Sequence, residues 1–139
     1  MKRATVYLKD EIYYLCASSR TTKGFWIACQ PFIRAEYDDV GRKAIEALNS
    51  SLIGVEGPDN AEDALDHLIQ PILRLSESDS WEDFVKGTKC CHLSLKDDEL
   101  KAMPTKRSGQ EFWHQPKLSS VGSVREISDL LDRAFINSK

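Results

Sequence analysis

Residues 4–8 and 12–17 alternate apolar and polar or mixed positions with the two-residue period of half-buried strands. In the first run Val6 and Leu8 share one face and Thr5 and Tyr7 the other, and Lys9-Asp10-Glu11 reads as the hairpin turn between the runs. A polar stretch, 20–24, leads to Phe25-Trp26-Ile27-Ala28-Cys29, a third strand apolar enough to be buried on both faces. Pro31 either ends its pairing or places it at a sheet edge. The period then changes: Val40, Ala44, Ile45 and Leu48 form a helical stripe, which Asp38 or Asp39 can cap. Beyond Gly54, Gly57 and Pro58, Asp59 with Glu62 has capping-box spacing for a second helix. Its buried face would be Ala61, Ala64, Leu65, Leu68, Ile69 and Ile72, and Pro71 predicts a kink or an early stop. Ser80 with Asp83 opens a short third helix that turns Phe84 and Val85 inward.

The last third returns to strands at 90–95 and 99–103, paired across Lys96-Asp97-Asp98, then a polar turn at 106–110 and a strand at 111–114. Ser123 with Glu126 caps a final helix striped by Val124, Ile127, Leu131, Ala134 and Phe135. The two ends read as one unit used twice. Leu8-Lys9-Asp10 matches Leu95-Lys96-Asp97, Arg20 matches Arg107, and Phe25-Trp26 matches Phe112-Trp113, all at one offset. At the same offset Val40 falls on Ile127, Ala44 on Leu131 and Leu48 on Phe135. The expectation is one domain over 1–139, with units 1–52 and 88–139 joined by a helical connection, 53–87. Its fold class is α+β: an antiparallel sheet of two three-strand meanders, with about four helices packed mainly on one face.

Length and composition fit this reading, since 139 residues with 41% hydrophobic and 29% charged positions make an ordinary globular chain. No apolar run approaches the roughly 20 residues of a membrane span, and the apolar run after the basic start is too short for a signal segment. A cytoplasmic location is therefore expected, where Cys16, Cys29, Cys90 and Cys91 stay reduced. The net charge of −3 conceals a stronger asymmetry. Between positions 56 and 83 stand Glu56, Asp59, Glu62, Asp63, Asp66, Glu77, Asp79, Glu82 and Asp83 against Arg74 alone, a formal −8. Such a segment repels nucleic acid. It is either a solvated face or a surface complementary to a basic protein.

Candidate chemistry is sparse. The sequence holds no GxSxG, P-loop, GxGxxG or HExxH pattern. Cys90 and His92 share a strand face and His114 can approach from a neighbouring strand, but the spacing with Cys91 is not CxxC-like. A small cysteine/histidine metal-binding protein or enzyme is thus the alternative to a binding module, and no catalytic residue, metal or cofactor is assigned. Asp38-Asp39 and Asp97-Asp98 sit where caps and turns need Asp. Trp26, Trp81 and Trp113 are core residues or partner anchors.

Residues 22–33, Thr-Thr-Lys-Gly-Phe-Trp-Ile-Ala-Cys-Gln-Pro-Phe, followed by Ala-Ile-Glu-Ala-Leu-Asn-Ser-Ser, resemble the immunity proteins of bacterial contact-dependent growth inhibition systems. The resemblance extends through Gln70-Pro71-Ile72-Leu73, Ser80-Trp81 and the strands from Cys91 to Thr105. It implies a cytosolic protein without catalytic residues that binds a cognate toxin C-terminal domain. Many such toxins are nucleases with basic grooves, which an acidic inhibitor occupies as a phosphate mimic. No contact residue carries over from the family. The nine acids above are the expected toxin-binding set on charge alone, with the sheet face around His92 and His114 as the competing surface.

Overall fold

The computed structural model describes residues 1–58 and 60–139, the side chain of Ala61 excepted. Three strands come first: β1 (Lys2–Lys9), β2 (Ile12–Thr21) and β3 (Trp26–Ala35). Helix α1 (Tyr37–Asn49) and the short strand β4 (Ile53–Val55) lead to α2 (Ala61–Ser76) and α3 (Trp81–Val85). The second meander is β5 (Lys89–Lys96), β6 (Glu99–Ser108) and β7 (Glu111–His114), followed by β8 (Ser120–Gly122) and α4 (Ile127–Asn137). Single 3₁₀ turns at Pro116–Leu118 and Val124–Glu126 flank β8. This is the α+β sheet of two meanders expected from the strand and helix periods, but the helices do not pack mainly on one face. Helices α1 and α4 cover one side of the sheet and α2 and α3 the other, because alternate strand positions are apolar on both sides.

The strand order is β3-β2-β1-β5-β6-β7, so the meanders meet through their first strands. β1 and β5 are antiparallel, from Lys2 opposite Leu95 to Leu8 opposite Lys89, with Thr5 opposite His92 at the centre. Thr5 and His92 are 87 positions apart. A shift of 87 also carries the bounds of β1 onto those of β5 and the bounds of β2 onto those of β6. The correspondence reaches single bonds. Arg20 N donates to Leu52 O at 2.8 Å, and Arg107 N to Lys139 O at 2.7 Å. Ser51 N donates to Leu48 O, and Ser138 N to Phe135 O. Each helix end is thus tied back to its own meander.

Strand alternation separates two cores. Val6, Leu15, Cys91 and Leu93 face α1 and α4, with Leu48 and Leu131 closing the layer. Tyr7, Tyr14 and Cys90 face the opposite way, against Ile72 of α2 and Phe84 and Val85 of α3. There Tyr7 meets Trp81, Phe84 and Phe112 edge-on at 5.5 to 5.8 Å between ring centroids.

Several local expectations change. β3 runs ten residues, because it is an edge strand that absorbs Gln30 and Pro31 in a bulge between the pairs Cys16–Phe32 and Ala17–Cys29. Only its Ile27 and Ala35 are buried. The N-cap of α1 is Glu36 without a side-chain bond; Asp38 and Asp39 lie in the first turn, where they favour the positive end of the helix dipole. Asp59, the expected cap of α2, lies outside the described residues. Asn60 caps instead, accepting from Asp63 N at 2.9 Å and donating to Asp63 Oδ2 at 3.0 Å. Pro71 does not stop α2, which continues to Ser76. Burying Ile72 and packing Leu68, Leu73 and Leu75 against the second core outweigh the one backbone bond that proline removes. Leu65 does not join the buried stripe and is 49% exposed. The expected polar turn at 106–110 shrinks to Gly109 and Gln110, because β6 extends to Ser108.

Candidate functional site

Every described member of the acidic set is exposed: Glu56, Glu62, Asp63, Asp66, Glu77, Asp79, Glu82 and Asp83. Asp59 lies outside the described residues. The chain distributes the acids into two groups, because α2 holds its 16 residues, about 24 Å of helix axis, between them. Glu62, Asp63 and Asp66 occupy the first turns of α2, and Asp63, Asp66 and His67 border a shallow hollow beside Gly57 and Pro58. Glu77 forms the left-handed C-cap, and Glu82 and Asp83 lie in the first turn of α3. Several therefore also serve the helices, since carboxylates at N-termini favour the helix dipole. Asp83 meets Lys86 at 3.9 Å, an exposed contact of small energetic weight. The rest of the set has no ion-pair partner among the described residues. Apart from Asp83, the described carboxylates of both clusters therefore face solvent without an ion-pair partner.

The competing surface, around His92 and His114, is not a flat sheet face. α2 stands off the sheet and leaves a cavity of about 480 Å³ between the two. Its floor includes Arg3, Thr5, Trp26, His92 and His114, and its far wall is the α2 face with Leu65 and Leu68. β1, β5 and β7 supply the polar floor because Arg3, Thr5 and His92 alternate onto the same side. The His92 and His114 rings meet edge-on with centroids 4.7 Å apart, although β6 separates their strands. Thr5 Oγ1 bonds His92 Nδ1 at 3.2 Å. The Arg3 guanidinium lies over the Trp26 ring, 4.3 Å from its centroid. Burial, His114 and Arg3 push the His92 imidazole down to about 4, and burial and Arg3 lower that of His114. Both rings are therefore neutral hydrogen-bonding groups near pH 7.

The cysteines do not join the histidines. Cys90 and Cys91 point to opposite sides of β5, Cys90 into the second core and Cys91 into the first. Burial is the largest cause raising the Cys16 thiol to about 12 and pushing the Cys90 and Cys91 thiols up, so thiolates are strongly disfavoured there. Cys29 is half-buried and shares a 3.0 Å contact with Ser19 Oγ. Among the described residues no three of His, Cys, Asp and Glu are grouped to hold a metal ion.

The chain has the fold found in the CdiA-CT/CdiI toxin and immunity complex from Yersinia pseudotuberculosis. The TM-score is 0.80 at 13% identity, over 99% of this chain and 97% of that one. A protein of unknown function from Neisseria meningitidis matches with a TM-score of 0.73 at 16% identity, over 99% of this chain and 95% of that one. No family model and no curated protein matches the sequence. No helix among the described residues is long and apolar enough to cross a membrane.

The residue pattern pointed to His92 and His114 but missed Arg3 and Trp26. One signal could have helped: strand alternation places Arg3 on the side of Thr5, and the sheet then sets Thr5 against His92.

Proposed function

We propose that the protein is an immunity protein that binds a cognate contact-dependent growth inhibition toxin domain, a nuclease, and occludes its active site from the cytoplasm. The observation that carries this reading is the fold shared along nearly the whole chain with a component of a toxin and immunity complex. The two exposed acidic clusters support the finer part. Carboxylates without local counter-ions suit the basic groove of a nuclease and speed encounter with it. The contact set is Glu56, Asp59, Glu62, Asp63, Asp66, Glu77, Asp79, Glu82 and Asp83. We also infer that 1–139 is one immunity-type domain that arose from a duplicated unit, 1–52 and 88–139, bridged by 53–87.

The test is binding to the toxin domain encoded beside this chain, measured by calorimetry, together with growth rescue when both are expressed. Nanomolar binding with rescue is the expected result, and no binding overturns the assignment. For the acidic surface, Glu62→Lys, Asp66→Lys and Glu82→Lys leave the Asn60–Asp63 cap intact. The triple variant, with an unchanged circular dichroism spectrum, should bind at least tenfold more weakly and with a shallower salt dependence. Unaltered affinity and salt dependence would remove the acidic clusters from the interface.

A further inference from the structure

The cavity under α2 carries an unbalanced charge and an unused donor. Arg3 lies in its floor, and among the described residues no carboxylate contributes to the lining and Arg3 has no ion-pair partner. Its guanidinium stacks on Trp26, which leaves its hydrogen-bonding edge free, and burial together with nearby Arg20 disfavours its charge. His92 uses Nδ1 toward Thr5. With the Thr5 hydroxyl donating to Nδ1, His92 Nε2 carries the ring proton and meets no acceptor among the described residues. The opposite wall, from α2, is apolar with Leu65 and Leu68, and Met103 adds an apolar group to the floor beside His92. The mouth is rimmed by Phe25, 43% exposed, and Leu65. A volume near 480 Å³ lies in the range of small-molecule sites.

We propose that this cavity binds a small monocarboxylic acid with an apolar ring or branched body. The Arg3 guanidinium takes the carboxylate, His92 Nε2–H adds a hydrogen bond, and the Leu65–Leu68 wall with Met103 below it receives the body. A guanidinium fork matches a carboxylate in geometry as well as charge. A monoanion fits better than a dianion. His92 and His114 are held neutral, so among the described lining residues only Arg3 carries a full charge, with Arg20 behind it outside the cavity. Burying a second negative charge against that floor would leave it uncompensated. The site is independent of the toxin assignment, because neither acidic cluster contributes to it.

Phenylacetate is the probe, titrated into ¹⁵N-labelled protein and followed at the Trp26 indole and the His92 and His114 rings. The expected result is saturable shifts at these three groups with Kd about 1 mM or tighter. Phenylacetamide, the same body without charge, should bind at least tenfold more weakly. Phenyl phosphate should also be weaker. Acetyl-glutamate amide presents the carboxylate as a protein side chain would, without the apolar body, and should bind at least tenfold more weakly than phenylacetate. Arg3→Met should lower phenylacetate affinity at least tenfold, and Arg3→Lys should lower it less. If Arg3→Met disturbs β1, the phenylacetamide comparison on the unaltered chain still decides. Four outcomes overturn the proposal: no saturable shift up to about 10 mM, equal binding of phenylacetamide, full affinity in a folded Arg3→Met variant, or tighter binding of acetyl-glutamate amide or phenyl phosphate.

Discussion

The two meanders carry the same Phe-Trp pair 87 positions apart, yet the structure uses the pairs in opposite ways. Arg20 pairs with Trp26 in the first meander, whereas Arg107 pairs with Phe112 in the second. That is a register difference of one residue, and one residue turns every side chain of a strand to the other face. Its source is the turn. Four residues separate β2 from β3, but only Gly109 and Gln110 separate β6 from β7. Trp26 consequently lies in the cavity beneath Arg3, while Trp113 points to the other side and is 59% exposed. Phe112 takes the inward place against Tyr7. The outer strands diverge further along. β3 passes Gln30 and Pro31 as a bulge, whereas the second edge breaks into β7, a 3₁₀ turn and β8. The connecting segment treats the units unequally: α2 lies across β3 of the first, while α3 reaches the second, where Trp81 Nε1 donates to Gln110 O at 3.2 Å. Two units of like backbone thus diverge through turn length and the unequal reach of one connecting segment.

The largest test of this contrast is to remove each tryptophan. Trp26→Ala deletes a half-buried ring stacked by Arg3 and is expected to cost about 2–3 kcal/mol in urea unfolding. Trp113→Ala should change stability by no more than about 0.5 kcal/mol, as exposed substitutions do. Equal costs would mean that the one-residue register difference does not hold in solution.

How far the residues announced this contrast depends on the element. The strand and helix periods specify β1, β2, β5, β6, α1 and α4, because each buries one regular face and the pattern records that burial. The shared offset relates the two units, but that their first strands pair, with Thr5 opposite His92, is visible only in the sheet. Trp113 is different. Its neighbours match those of Trp26, and only the number of turn residues separates the two fates, so composition gives no warning. Leu65 also reads as buried by helical spacing, but α2 stands away from the sheet there and leaves it at the cavity mouth. The acids were legible as exposed groups, since nothing nearby in sequence neutralises them. The role of Arg3 was not, because a basic residue beside a chain start is ordinarily solvated. Only the stacking on Trp26, from a strand two places away in the sheet, reveals it.

The second test acts where the units touch. Thr5 and His92 are equivalent positions, yet only His92 titrates. Its folded-state pKa of about 4 lies below the ordinary 6.5, so folding favours the neutral ring. The associated stability is fully present above pH 6.5 and is lost as pH falls toward about 4, because the unfolded chain gains the proton first. Discounted for partial contact with solvent, the loss should be about 2 kcal/mol across that window. His92→Gln, which cannot titrate, should flatten this part of the stability profile relative to the unaltered chain. An undiminished slope in the variant would place the acid sensitivity elsewhere.

The smallest expected effect comes from the two inner hairpins, where the units agree most closely. Asp10 and Glu11 have φ of 51° and 66°, and Asp97 and Asp98 have 52° and 65°. Both are two-residue turns with two left-handed positions, the geometry that matches the twist of paired strands. Aspartate tolerates the left-handed region better than glutamate, because its short side chain can bond the local backbone. Glu11 therefore carries more strain than Asp98 in the same conformation. Glu11→Gly should stabilise the protein by about 0.5–1 kcal/mol, and Asp98→Gly by less, once the greater freedom of glycine in the unfolded chain is set against the relieved strain. Thermal unfolding of both variants checks the order. A larger gain at Asp98 than at Glu11 would show that the two turns, nearly identical in backbone, are held by different local bonds.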